Sequence, residues 1–367
     1  MKIGKYDIKH PIIQGGMGVG ISWDQLAGNV SKEGALGVIS AVGTGYYRNK
    51  SNNVQVELKK DKPKDALNFY SRDSFFEIVA NARKICGNAP LACNILYACN
   101  DYGRQVKDAC EAGINIIITG AGLPTNMPEF TKDYPDVALI PIVSSARALK
   151  LICKKWKKYN RVPDAIIVEG PLSGGHQGFK YEDCFKEESK LENIVGPVIE
   201  EAKNWGEDIP IIAAGGVWEK KDIEKFQTKG CTGVQMATRF IGTYECDAHA
   251  NLKNVLLNAK EDDIKLGKSP VGLPARSVRT NLQFSIKNNT APKVQCISNC
   301  VAPCNRGIEA MAVGYCIADR LGAAYNGDED TGLFFTGANG YKIDKIISVK
   351  ELIGKLTYGE DYKQIEN

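Results

Sequence analysis

The amino-acid sequence predicts a (β/α)8 barrel of the TIM type, and three observations lead to this prediction. Eight short runs rich in Ile, Val and Ala recur along the chain without polar alternation, a pattern typical of parallel strands that are covered on both faces. Amphipathic stretches of helical length lie between these runs, and such a repeat forms either a closed barrel or, as the alternative, an open doubly wound sheet. The chain of 367 residues has the length of one barrel with insertions.

The predicted elements follow one another in chain order. The runs that predict strands occupy residues 11–16, 36–41, 90–96, 115–120, 138–145, 165–170, 209–216 and 233–240. The stretches that predict helices occupy residues 23–32, 74–86, 105–112, 146–158, 191–205 and 220–229. Residues 43–68 are too long for an ordinary strand–helix loop and predict an inserted lid segment. We therefore expect a barrel domain at residues 1–245 and a C-terminal helical appendage at residues 246–367.

Composition and charge favour a folded enzyme-sized domain that acts on small molecules. Hydrophobic residues make up 43% of the chain and charged residues 25%, which is ordinary globular usage. The 47 basic and 43 acidic residues are too evenly balanced to favour nucleic acid as a partner. We see neither an apolar segment of signal-peptide length nor a run of ~18 apolar residues, so we expect a cytoplasmic protein without a membrane partner.

The sixth apolar run leads directly into the stretch with the strongest chemical signal. This stretch, EGPLSGGHQGF, occupies residues 169–179 and should form the loop at the C-terminal end of a strand. Gly174 and Gly175 allow the backbone to approach a ligand closely, and they bring His176 to the rim of the barrel. The alternative is a glycine turn with a surface histidine. We take His176 as the candidate catalytic residue.

Glycine-rich turns follow three further strands. The first, QGGMGVG at residues 14–20, permits close contact with a flat ligand, but its spacing differs from the dinucleotide fingerprint of a Rossmann fold. The seventh and eighth strands end in AAGG and QMATR, at residues 213–216 and 235–239, where barrels commonly hold a phosphate. Gly215 and Gly216 would supply amides and Thr238 a hydroxyl. Arg239 would add a charge or pair with a carboxylate.

Six of these motifs, in this order, carry a resemblance to a known family. PIIQGGMGVG, LACNIL, ITGAG, EGPLSGGHQG, IPIIAAGG and VQMATRF resemble motifs of the nitronate monooxygenase family. The same motifs resemble its sister family, the FMN-dependent enoyl-acyl carrier protein reductases. The similarity spans residues 8–260.

The resemblance implies an FMN-binding barrel and assigns roles to individual residues. The backbone of Gly16 and Met17 would lie against the isoalloxazine ring, and His176 would act as a base or orient the substrate. The other implied contacts are Asn94 and Glu169 around the ring, Gly174 and Gly175 at its edge, and Gly215, Gly216, Gln235, Met236, Ala237 and Thr238 at the phosphate. Ala237 departs from the family, which usually has glycine there.

Two reactions and one non-enzymatic role are compatible with these motifs. The first is oxidation of alkyl nitronates with oxygen, and we favour it because residues 43–68, the 169–179 stretch and the C-terminal region depart from the reductase pattern. The second is reduction of an enoyl thioester by NAD(P)H. The third is a flavin- or phosphate-binding regulatory barrel.

Four of the twelve cysteines form a dense cluster outside the shared motifs. Cys296, Cys300, Cys304 and Cys316 are spaced C-x3-C-x3-C-x11-C, and thiolates so spaced could bind an iron–sulfur cluster or a zinc ion. Part of this spacing resembles the cluster loop of barrel ene-reductases. The alternative is four buried thiols in a helical appendage.

Overall fold

The structure of the protein is a computed structural model. The structure describes residues 1–47, 69–206, 208–291 and 293–363. The lid segment predicted at residues 43–68 therefore lies, from residue 48 onward, outside the described residues.

Eight parallel strands form the barrel, as predicted. Within the described ranges the strands are β1 (Lys2–Ile3), β2 (Tyr6–Asp7), β3 (Ile12–Gln14), β4 (Gly37–Ser40), β5 (Leu91–Leu96), β6 (Ile116–Gly120), β7 (Ala138–Val143), β8 (Ile166–Glu169), β9 (Gly175–His176), β10 (Ile211–Ala214), β11 (Gly233–Met236), β12 (Ile264–Gly267) and β13 (Ala275–Val278). The barrel order is β3-β11-β10-β8-β7-β6-β5-β4. Two hydrogen bonds of 2.9 Å, from Leu36 N to the Ile12 carbonyl and from Gln14 N to the Leu36 carbonyl, join β3 to the chain just before β4 and close the ring.

Helices alternate with the barrel strands and continue beyond them. In the same ranges they are α1 (Asp24–Lys32), α2 (Arg72–Cys86), α3 (Tyr102–Glu111), α4 (Met127–Phe130), α5 (Ala146–Trp156), α6 (Leu191–Lys203), α7 (Lys220–Thr228), α8 (Thr238–Ile241), α9 (Ala250–Asn258), α10 (Asn281–Lys287), α11 (Ile308–Val313), α12 (Ile317–Tyr325) and α13 (Val349–Tyr358). Serine side chains cap several of them: Ser145 Oγ, for example, accepts the Ala148 amide at 3.2 Å at the start of α5.

The barrel strands are buried on both faces, which explains their apolar sequences. Ile13, Ile118 and Ile167 belong to a cluster inside the barrel. Their sequence neighbours Ile12 and Ile117 belong to a larger cluster that also contains residues of the surrounding helices. Because successive side chains point to opposite faces of a strand, neither face can be polar, and the polar positions collect at the strand ends.

The C-terminal part of the chain is more than the helical appendage expected after residue 245. It contains β12 and β13, which pair antiparallel, and β13 also pairs with β9, so that Ala275 lies opposite His176 and Arg276 opposite Gly175. Their sequences, IKLG and ARSV, are short and mix polar with apolar residues, so they gave no strand signal. This hairpin joins the C-terminal segment to the loop that carries the candidate histidine.

No helix in the described part of the chain is long and apolar enough to span a membrane.

Candidate active site

A cavity of about 740 Å³ opens at the C-terminal ends of the barrel strands. This volume falls within the usual range for small-molecule sites. The sequence-predicted catalytic and cofactor-binding residues all line it: Gly16, Met17, Asn94, Glu169, Gly174, Gly175, His176, Gly215, Gly216, Gln235, Met236, Ala237 and Thr238. They come from separate parts of the sequence, and the closed ring of parallel strands brings them together.

Glycine is required at several points in the cavity wall. A Cβ atom at Gly16 would lie 2.4 Å from Asn94 Cβ, and one at Gly215 would lie 2.6 Å from the Gly170 carbonyl oxygen. Gly215 and Gly216 have φ of +95° and +90°, a region that side chains with a Cβ rarely adopt. The backbone is therefore free to contact a flat or phosphorylated ligand at these positions.

The predicted phosphate corner is covered by a segment near the C-terminus. Thr238 Oγ1 accepts a hydrogen bond from Gly337 N at 2.8 Å, and Asn339 Nδ2 donates one to the Gly216 carbonyl at 2.7 Å. No protein acceptor for the Gly216 and Thr238 amides is found in the part of the chain that the structure describes. These amides remain available to an anion.

Arg239 takes the second of its two predicted roles. It donates to the Trp218 carbonyl, and its guanidinium lies 2.7 Å from the Glu360 carboxylate. The charge is therefore directed to a carboxylate, and the polar groups left at the phosphate corner are amides and a hydroxyl.

His176 is held in the cavity wall by contacts on two sides. Its Nε2 lies 2.7 Å from Ser269 Oγ, and its ring meets Phe335 edge-on, with centroids 5.3 Å apart. Burial lowers the pKa of His176 to about 4. The imidazole is therefore neutral at pH 7.

The hydroxyl that contacts His176 is itself held by the backbone. Ser269 Oγ accepts a hydrogen bond from the Val271 amide at 3.3 Å. Either His176 Nε2 or Ser269 Oγ can be the donor in the bond between them, depending on the tautomer of the imidazole. The contact therefore fixes the orientation of the ring.

Glu169 is the second ionisable group in the cavity, at the end of β8. Burial raises its pKa to about 7, because a charged carboxylate is poorly solvated there. Near neutral pH this side chain can therefore either hold or release a proton. Glu169 and His176 thus have pKa values displaced in opposite directions, as often found at functional sites.

Sequence reasoning missed the contributions of the C-terminal segment. Arg276 donates to the Pro171 carbonyl at 2.7 Å and the Ser173 carbonyl at 3.3 Å, so it supports the loop that carries His176. Phe335 and Asn339 line the cavity. The glycine-containing stretch FTGANG at residues 335–340 could have indicated Phe335 and Asn339. No sequence motif indicates Ser269 or Arg276.

The four predicted metal ligands lie beside this cavity rather than in its centre. Cys296, Cys300, Cys304 and Cys316 line a second, much smaller cavity, and Cys300 lines both. With the side chains in their present rotamers, no group of three or more His, Cys, Asp or Glu residues in the described ranges could hold a metal ion. The cysteines are thus gathered in space but not arranged as ligands.

Comparisons with known proteins place the chain in a family. The model of the nitronate monooxygenase family matches residues 1–359. A probable nitronate monooxygenase from Bacillus subtilis is 25% identical, with 98% of each chain covered. A hydroxy-methyl-oxo-octahydroindene-carboxyl-CoA dehydrogenase from Rhodococcus jostii is 23% identical over 77% of this chain and 66% of that protein.

A solved structure has a similar fold over nearly the whole chain. FabK from Thermotoga maritima superposes with a TM-score of 0.69 at 25% identity, covering 96% of this chain and 93% of that one. Together with the family match, this similarity identifies the protein as a flavin-dependent oxidoreductase that belongs to the nitronate monooxygenase family.

Proposed function

We propose that the protein binds FMN across the C-terminal ends of the barrel strands and oxidises alkyl nitronates, with oxygen as the electron acceptor. The observation that supports this most strongly is the cavity itself, in which glycine backbone, free amides and two ionisable groups with displaced pKa values lie together. Its glycine backbone suits contact with a flat ring, and its free amides suit a phosphate.

The residues at the two ends of the cavity suit the two ends of FMN. At one end, Gly16 and Met17 offer backbone to the ring, and Asn94 offers an amide. At the other, Gly215, Gly216 and the 235–238 stretch offer amides and a hydroxyl to the phosphate. Bound FMN would supply the redox chemistry, taking electrons from the substrate and passing them to oxygen.

The pKa of His176 favours a nitronate over an uncharged nitroalkane as the substrate. A base with a pKa of about 4 accepts a proton weakly at pH 7, so removal of a proton from carbon would be slow. A nitronate has already lost that proton. In this reaction His176 orients the substrate, and Glu169, with a pKa of about 7, exchanges protons. Exposed Lys180 borders the cavity and offers a positive charge to the incoming anion.

A second candidate is reduction of an enoyl thioester by NAD(P)H. The relative from Rhodococcus jostii is named for a reaction of a CoA thioester, which favours this class of substrate. The glycine cradle would serve the same cofactor in either reaction. The two reactions differ in the group that reduces the flavin.

One anaerobic stopped-flow comparison separates the two functions. Enzyme loaded with oxidised FMN is mixed with propyl-2-nitronate and, separately, with NADH and NADPH, while the flavin absorbance is followed. We expect rapid reduction by the nitronate and reoxidation when oxygen is admitted. Reduction by a nicotinamide alone, reversed by a crotonyl thioester, would establish the second candidate instead. If no flavin binds at all, the regulatory role applies.

The cytoplasmic location remains a prediction from the sequence. The predicted zinc or iron–sulfur site at the four clustered cysteines is not required for either reaction.

A further inference from the structure

The four clustered cysteines meet at one place although they span 21 residues of sequence. Cys296 and Cys300 lie in the loop after α10, Cys304 lies in the 3-10 turn at Ala302–Gly307, and Cys316 precedes α12. All four border one small cavity. The turn packs tightly on the loop, since a Cβ at Gly307 would lie 2.9 Å from Cys296 Cβ.

We propose that this cavity is a metal centre in which Cys296, Cys300, Cys304 and Cys316 are the ligands of a thiophilic metal, either one zinc ion or an iron–sulfur cluster. Sets of four cysteine thiolates in proteins bind these two kinds of metal. The four cysteines are free thiols, so no disulfide uses them.

Ser298 lines the same cavity, and its hydroxyl oxygen is buried without a hydrogen-bond partner in the described ranges. A buried hydroxyl that lacks a partner is unfavourable. It is therefore free to donate to a sulfur ligand of a bound metal, as polar groups around metal sites commonly do.

Ligation of a single zinc ion requires side-chain rotation but no change of fold, whereas an iron–sulfur cluster also requires the cavity, about 10 Å³ in this structure, to widen. The present rotamers do not form a ligand set in the described ranges. A cysteine sulfur moves by rotation about a single bond between staggered positions. Because the four residues already surround the cavity, metal binding would turn their sulfurs inward.

The position of the site suggests what the metal does. The Asn100 amide donates to the Cys300 carbonyl at 3.2 Å, and the Ala302 amide donates to the Ala98 carbonyl at 2.9 Å. These bonds fasten the cysteine loop to the segment between β5 and α3, and Cys300 reaches the active-site cavity. The metal centre therefore braces the wall of the active site against the barrel.

Metal analysis of the full-length protein tests this proposal independently of the catalytic function. Protein is purified anaerobically from cells supplied with zinc and iron, and metals and acid-labile sulfide are measured per chain. We expect about one zinc, or roughly four irons with sulfide. The double variant Cys300→Ser and Cys304→Ser should lose the metal, whereas Cys86→Ser, a buried cysteine outside the cluster, should keep it.

A second measurement applies even if the double variant does not fold. In the unaltered protein, alkylation followed by mass spectrometry should label the four clustered cysteines only after a chelator or an oxidant removes the metal. Half-exposed Cys296 can be changed to Ser alone as the mildest variant. Metal at background level in the unaltered protein, or metal that survives in Cys296→Ser and in the double variant alike, would overturn the proposal.

Discussion

The strand ends of the barrel and the segment after residue 245 contribute to the same cavity in different ways. The strand ends supply glycine backbone, amides and the carboxyl of Glu169, all within motifs of a few consecutive residues. The later segment supplies single side chains, such as Ser269 and Arg276, whose partners lie 93 and 105 residues away in sequence. In the proposed function the barrel would form the cofactor cradle, while the C-terminal segment supports the loop that bears His176.

This difference suggests that the two regions have separate roles. Changes in the barrel cradle should affect cofactor binding, while changes in the C-terminal segment should affect turnover with the cofactor still bound. His176 lies where the two regions meet, because β9 pairs with β13. The following predictions test that division, beginning with the largest expected effect.

Replacing His176 with Ala should reduce turnover strongly and leave flavin in place. In the proposed function this side chain orients the substrate, and loss of orientation costs roughly a hundredfold in rate. The measurement is steady-state oxidation of propyl-2-nitronate together with flavin content per chain. As a control, His249→Asn changes a histidine that caps α9 and should leave turnover unaffected. Unchanged turnover in His176→Ala would show that this histidine is peripheral.

Replacing Gly215 with Ala should weaken flavin binding. The new Cβ would meet the Gly170 carbonyl oxygen at 2.6 Å, and φ is +95°, so we expect a strain of roughly 1–3 kcal/mol and a 10- to 100-fold higher Kd for FMN. Fluorescence titration of the flavin-free protein with FMN measures this Kd. The matched control is Gly267→Ala, where nothing lies within 4 Å of the new atom. Equal FMN affinity in both variants would place the phosphate elsewhere.

The same division determines how much the sequence alone could predict. The strands and the residues that line the cavity at the strand ends were predictable, because burial on both faces imposes apolar runs and the tight turns at the strand ends require glycine. The partners of His176 were not, because Ser269 and Phe335 reach it from distant segments of the chain, and such contacts leave no periodic pattern in the sequence. The short, half-polar sequences of β12 and β13 gave no sign that β13 pairs with β9, so the segment was expected to be helical.

Replacing Ser269 with Ala should lower kcat about tenfold, which corresponds to the loss of one hydrogen bond, without changing flavin content. Without Ser269 Oγ, the imidazole of His176 loses the hydrogen bond that orients its ring, so kcat should fall more than KM rises. Ser269→Thr keeps the hydroxyl and should restore most of the rate. Equal loss in both variants would indicate that Ser269 acts through packing and not through the hydrogen bond of its hydroxyl to His176.

The smallest expected effect concerns the stability of the flavin-free protein as a function of pH. In the folded state the pKa of Glu169 is raised from 4.5 to about 7, so the folded protein binds the carboxyl proton more tightly than the unfolded chain does. Its stabilising contribution is complete below pH 4.5 and is lost as the pH rises to 7. His176 has the opposite sign: its pKa falls from 6.5 to about 4, so its contribution is present above pH 6.5 and is lost as the pH falls.

Replacement of Glu169 with Gln separates these opposing contributions, because glutamine resembles the protonated carboxyl and does not titrate. Urea unfolding at pH 5 and pH 8 should show that Glu169→Gln raises the free energy of unfolding at pH 8 relative to the unaltered protein, with a smaller difference at pH 5. The variant should also lose any step near pH 7 in the pH profile of kcat. If the gain in stability is the same at both pH values, the carboxyl of Glu169 is solvated in the cavity and cannot serve as its proton-exchanging group.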